Sequence, residues 1–179
     1  MRFTFGNDYD TYDLRSEYNA ERGFDNPRGY AWRELGDITD IVIHHSAFDP
    51  VDGALEAIAR TAAYHKGKGW PGIGYHFALG EDGESYYVGD ILTVRYHATA
   101  LSNPRSIGIE VLGDFTSRSP SVVQMAGLAT LVANLQFALG AHLPVRPHRS
   151  VVPTQCPGEG LVTAWRASCA VYGASVGWE

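Results

Sequence analysis

The stretch Ile41-Val42-Ile43-His44-His45-Ser46-Ala47 (IVIHHSA) decides how this chain folds. Its β-branched opening reads as a buried strand, and the run ends on two adjacent histidines. Successive strand side chains point to opposite faces, so Ile41, Ile43 and His45 share one side of a sheet and Val42 and His44 the other. The two histidines therefore cannot both ligate one metal from a regular strand. One serves a site and the other packs behind the sheet.

Outward from this strand, Ala54 to about Lys66 reads as a helix ended by the glycines of KGKGW. The segments GYHFAL (Gly74 to Leu79) and SYYVGD (Ser85 to Asp90), joined by the turn GEDG, read as a hairpin, and SIGIEVLG (Ser106 to Gly113) as a further strand. From Ser121 to Leu139, Met125, Leu128, Val132, Leu135 and Leu139 step by three and four, which predicts a helix with one buried face. Ser119-Pro120 is expected to supply its cap and first-turn proline, and Gly140 its stop. A short strand, Val145 to His148, leads into the loop SVVPTQCPGEG, and Gly160 to Tyr172 reads as the last helix.

This order predicts a single α/β domain, with a central mixed sheet of about five or six strands flanked by helices. Residues 1–37, rich in charge and aromatics without a clean period, are expected to form an irregular arm packed on the core, with a short helix around Arg15 to Arg22. Residues 38–179 are expected to carry the function.

The 179 residues are 45% hydrophobic and 19% charged, as a globular chain should be. A net charge of −6, with no visible basic face, argues against nucleic acid and against anionic membranes as partners. No stretch reads as a signal peptide or as a membrane span, so the chain is expected to be made in the cytoplasm, not to insert in membranes, and to act as a monomer. Cys156 and Cys169 are too few for a disulfide framework.

His148 and Cys156 stand eight positions apart across a proline-containing loop, close enough to bring an imidazole and a thiolate to one ion. Two histidines and one cysteine would leave Zn²⁺ a fourth position for water, and sulfur with nitrogen favours zinc over magnesium or calcium. Glu110 sits inside the apolar strand SIGIEVLG, on the face opposite Ile107, Ile109 and Val111, where a carboxylate needs a partner or a purpose.

IVIHHSA, GYHF, YHA, SIGIEVLGDF and PHRSVVPTQCPG occur in one order over roughly Ile38 to Trp165. Together they resemble the type 2 N-acetylmuramoyl-L-alanine amidases, a family taking in phage endolysins, cell-wall amidases and peptidoglycan-recognition proteins. The resemblance implies that fold and one Zn²⁺ held by His44, His148 and Cys156. It implies cleavage of peptidoglycan, or of muropeptides, between the lactyl group and L-alanine. It places Tyr75 at the family's catalytic tyrosine and Thr154 at an oxyanion-orienting position where some phage members carry lysine. Glu110 falls on a glutamate that is catalytic in cytoplasmic recycling amidases. His97 matches a cleft histidine and, with Trp70, is expected to contact substrate. Non-lytic recognition proteins commonly exchange the ligand cysteine for serine, and this chain keeps Cys156. The biological setting that follows is a phage or prophage endolysin released to the wall by a holin, with a recycling amidase or a non-catalytic recognition module as alternatives.

Overall fold

The computed structural model describes residues 2–4, 10–15 and 29–172. Seven strands form one mixed sheet: β1 (Arg2–Thr4), β2 (Asp10–Asp13), β3 (Asp40–His45), β4 (Phe77–Leu79), β5 (Ser85–Tyr87), β6 (Ser106–Val111) and β7 (Val145–Pro147), in the spatial order β1-β2-β5-β4-β6-β3-β7. Among the described residues three helices pack on it: α1 (Ala54–Gly67), α2 (Val122–Leu139) and α3 (Glu159–Tyr172). This is the expected α/β domain.

β3, next to the edge strand β7, is parallel to both neighbours, β6 and β7, and all six of its residues are buried. A strand covered on both faces has no use for polar alternation, which is why Ile41-Val42-Ile43 runs apolar without a break. One face takes Ile41, Ile43, Ile107 and Ile109 into a core closed by Met125, Leu128, Leu131, Val132 and Leu135 of α2 and by Leu161 and Trp165 of α3. Each such fully buried side chain is worth about 1.5–3 kcal/mol. The other face is covered by Ala57, Ile58 and Ala62 of α1, against Ala78, Tyr86 and Leu112. The small residues of α1 hold it close to the sheet.

By length and composition α2 is apolar enough to cross a membrane, a property the sequence reading overlooked. Its core-facing stripe supplies part of that composition, with 39% of the helix buried in the fold. Its cap also differs from the expected one. Ser121, not Ser119, is the N-cap, its Oγ accepting from the Gln124 N–H at 3.0 Å, so Pro120 precedes the helix. Gly140 ends it in the left-handed conformation (φ 60°), as expected.

Strands β3 to β7 are those read from the sequence, β3 one residue longer and the others with trimmed ends. β1 and β2 come from the segment expected to be irregular. β2 runs parallel to β5, Thr11 Oγ1 and Ser85 Oγ lie 2.8 Å apart, and Tyr12 stacks on Tyr86 at 5.4 Å. The hydrogen-bonding edge of β5 thus orders residues that carry no period of their own. Beyond Arg15, the helix expected to Arg22 lies outside the described residues. At the start of β3, buried Asp40 bridges Arg105 and Arg146, each at 2.7 Å, tying the sheet to both flanking strands.

Candidate metal centre and cleft

The register of β3 against β6 sets His44 beside Glu110. Both therefore project from the same face, toward the carboxyl ends of parallel strands, where open α/β sheets place their sites. β7 ends next to them, and His148 opens a 3-10 turn, His148–Ser150. The following loop doubles back because the Arg149 N–H donates to the Cys156 carbonyl at 2.9 Å. That single backbone bond turns an eight-residue separation into a contact.

Ligand atoms of His44, His148 and Cys156 all lie within 4.8 Å of one another. His44 Nδ1 is 3.8 Å from Cys156 Sγ, and the rings of His44 and His148 are 4.3 Å apart, centre to centre. Both ring nitrogens of His148 are buried with no hydrogen-bond partner among the described residues. Such a cost is ordinarily avoided, and a metal ligand explains it. His45, as alternation requires, turns to the opposite face. Its Nδ1 accepts from the Phe115 N–H at 3.3 Å, while its own backbone N–H faces Cys156 Sγ at 3.5 Å.

Burial holds the imidazoles neutral, as ligands must be: His148 is lowered to about 4, and His44 falls well below the ordinary value, with the neighbouring histidines adding to the effect. Burial pushes the Cys156 thiol up to about 12, so a cation is what would make it a thiolate. The residues fit a single zinc ion.

A cavity of about 380 Å³ opens beside the triad, lined by Ser46, Arg60, Thr61, His65, Tyr75 and Glu110, among others. Tyr75 reaches across to His44, ring centres 5.0 Å apart. Glu110 is 1% exposed; Oε1 accepts from the Thr61 hydroxyl at 2.9 Å, and Oε2 is buried without a hydrogen-bond partner among the described residues. Burial raises its pKa to about 8 against the opposing Thr61 bond. Burial, with the charges of Glu110 and Cys156, raises the Tyr75 phenol well above its ordinary value.

The remaining expected site residues sit elsewhere. Thr154 is exposed on the far side of Cys156, in a cavity of about 330 Å³ with Thr116 and Arg149, and its Oγ1 accepts from the Cys156 N–H at 3.2 Å. His97 does not line the larger cavity. It lies buried behind His44, 3.1 Å from that ring. Trp70, half-buried, stacks on His65 at 4.5 Å and meets Tyr96 edge-on, so it closes the end of the cleft through His65. His76 is buried and has a structural role, accepting from the Gly108 N–H at 2.9 Å.

Thr61 and His65 were missed. Both lie on the buried face of α1 with Ala57, Ile58 and Ala62, and polar residues four apart on that apolar face were the available signal.

The profile of the family described as N-acetylmuramoyl-L-alanine amidase matches residues 34–159, a span that includes all three candidate ligands, Tyr75 and Glu110. The chain belongs to that family. Among relatives of this amidase-family chain, peptidoglycan-recognition protein SC1a/b of Drosophila simulans is 33% identical over 139 residues, covering 73% of this chain and 75% of the relative. Among solved structures, the Ph2119 endolysin of a Thermus scotoductus bacteriophage superposes with a TM-score of 0.70 at 28% identity, covering 91% of this chain and 99% of that one. The endolysin amidase LysCS of Clostridium intestinale gives 0.63 at 28%, covering 79% and 91%. The family and fold inferred from five sequence motifs are those found.

Proposed function

We propose that this amidase-family chain hydrolyses the amide between the lactyl group of N-acetylmuramic acid and the L-alanine of the stem peptide, with one zinc ion held by His44, His148 and Cys156. The observation that carries the reading is the triad itself: three donors within 4.8 Å, with both nitrogens of His148 otherwise unpartnered. Bound there, zinc would supply a water of lowered pKa and polarise the scissile carbonyl. The chain's own groups do the rest. Tyr75, its phenol kept protonated, donates a hydrogen bond to the oxygen on which charge develops. Glu110, poised near neutral pH and held by Thr61, carries the proton from water to the departing amine. Thr154, outside this cavity, positions Cys156 by accepting from its N–H.

The setting we propose is host lysis by a phage or prophage endolysin, reaching the wall after holin-type release. The names of two similar solved structures support it. A cytoplasmic recycling amidase acting on anhydromuropeptides is the second reading, favoured by Glu110 on the cavity wall. A neighbouring holin gene supports the first and a neighbourhood of recycling genes the second.

The test is incubation of zinc-loaded protein with Gram-negative and Gram-positive peptidoglycan, followed by mass spectrometry of the fragments. New L-alanine amino termini are expected, and Cys156→Ser is expected to lose both zinc and turnover. A wild-type chain that binds peptidoglycan but releases no amino termini would instead be a recognition module.

A further inference from the structure

His44 is completely buried, and its two ring nitrogens face different neighbours. Nδ1 looks toward Cys156 Sγ at 3.8 Å, and Nε2 lies 3.1 Å from His97 Nδ1. His97 Nε2 is 3.3 Å from Ser106 Oγ, and that hydroxyl donates to the Ser102 carbonyl at 2.7 Å. The last of these contacts sets the direction of all the others. A backbone carbonyl only accepts, so the Ser106 proton is committed to Ser102. The Ser106 oxygen must then accept from His97 Nε2–H. That leaves His97 Nδ1 as a lone pair, which accepts from His44 Nε2–H. The lone pair of His44 is left on Nδ1, facing Cys156 and His148.

We propose that His97 and Ser106 form a hydrogen-bonded relay that fixes the tautomer and ring plane of His44, so that Nδ1 is the atom offered to the metal. His97 is thereby a positioning residue. The orientation of a metal-bound imidazole is commonly set by what its other nitrogen meets. Here a second imidazole is interposed between the ligand and the backbone that anchors it.

The surroundings hold the relay in place. The His97 ring lies flat over Gly108 of β6, where an added Cβ would stand 2.6 Å from His97 Cγ and 2.9 Å from Nδ1. Any larger residue at Gly108 would displace the ring. The loop carrying His97 is closed by the Ala98 N–H donating to Asn103 Oδ1 at 2.7 Å, and Ser106 is 1% exposed. Neither end of the relay has room to turn.

This inference rests on the metal-centre reading of the same triad, and the experiment separates the two. Zinc affinity of the full chain is measured by competition with a chromophoric chelator, and the His44 tautomer by long-range ¹H–¹⁵N correlation of the imidazoles. His97→Leu, which keeps bulk and removes the acceptor, should weaken zinc binding by roughly 10- to 100-fold. His97→Asn, which keeps an acceptor oxygen near the Nδ1 position, should recover most of that loss. Ser106→Ala disturbs no ring packing, so it decides the matter even if leucine is poorly accommodated. It should weaken zinc binding by about 3- to 10-fold, less than the roughly 10- to 100-fold loss of a direct partner because only the outer bond of the relay is removed, and mix the His44 tautomers. Wild-type zinc affinity and an unmixed Nε2–H tautomer in Ser106→Ala would overturn the relay while leaving the metal centre standing. A wild-type chain that takes up no zinc would overturn both.

Discussion

Tyr75 and Glu110 face the same cavity with different duties: burial keeps the Tyr75 phenol protonated, whereas Glu110, raised to about 8, titrates near neutral pH and can take up and release a proton. A phenol so held is a donor and cannot act as a base. Tyr75→Phe should therefore lower kcat by about 10²- to 10³-fold, the usual cost of losing one oxyanion donor, with zinc content by metal analysis unchanged. Full activity in that variant would remove Tyr75 from the mechanism. At this scale the sequence was informative wherever strand alternation applied: IVIHH set His44 and His45 on opposite faces, and the family resemblance chose His44 for the site. It could not reveal Thr61 holding Glu110 or Ser106 anchoring His97. Those contacts join residues 49 and 9 positions apart and arise only when α1 and the loop before β6 settle on the sheet.

Elements were legible in proportion to how strongly their own residues dictate them. α2 repeats its apolar positions over 18 residues, and its place was plain even though its cap lay two residues from where it was expected. β1 and β2 are three and four residues long and polar in part, and only pairing with β5 makes them strands. Gly127, inside α2, shows the same non-local control. Helix propensity favours alanine there by about 1 kcal/mol. An added Cβ, however, would collide with the Gly83 carbonyl, backbone of the turn between β4 and β5. The turn is closed by the Gly83 N–H donating to the Gly80 carbonyl at 3.1 Å and the Gly80 N–H to the Glu84 carbonyl at 2.9 Å, which limits how far it can withdraw. Gly127→Ala should consequently destabilise the chain by about 1–3 kcal/mol, as overpacking of a fixed contact does. Urea denaturation checks it, and a variant as stable as wild type would mean that the turn moves freely.

For the molecule as a whole, the site makes stability depend on pH in two opposed ways. Burial lowers His65 and His148 to about 4 and His97 to about 3, and His44 falls well below its ordinary range. Histidines in the unfolded chain titrate near ~6.5. As pH falls the unfolded state takes up these protons first, so stability present above about 6.5 is lost progressively toward about 4. Glu110 acts with the other sign. Raised to about 8, it binds its proton more tightly in the fold, and its ionisation costs stability as pH climbs from ~4.5 toward that value. Four histidines outweigh one carboxyl between pH 6.5 and 5. Urea midpoints of the chelator-treated chain should therefore fall steadily over that interval. Glu110→Gln removes the opposing group while keeping an acceptor for Thr61, so it should stabilise the chain at pH 8 and leave it near wild type at pH 4.5. A wild-type midpoint that stays level from pH 7 to 5 would show that these histidines are not held neutral by the fold. Zinc held as proposed would compete with the same protons at His44 and His148, so a zinc-loaded chain should keep its stability to lower pH until the metal is released.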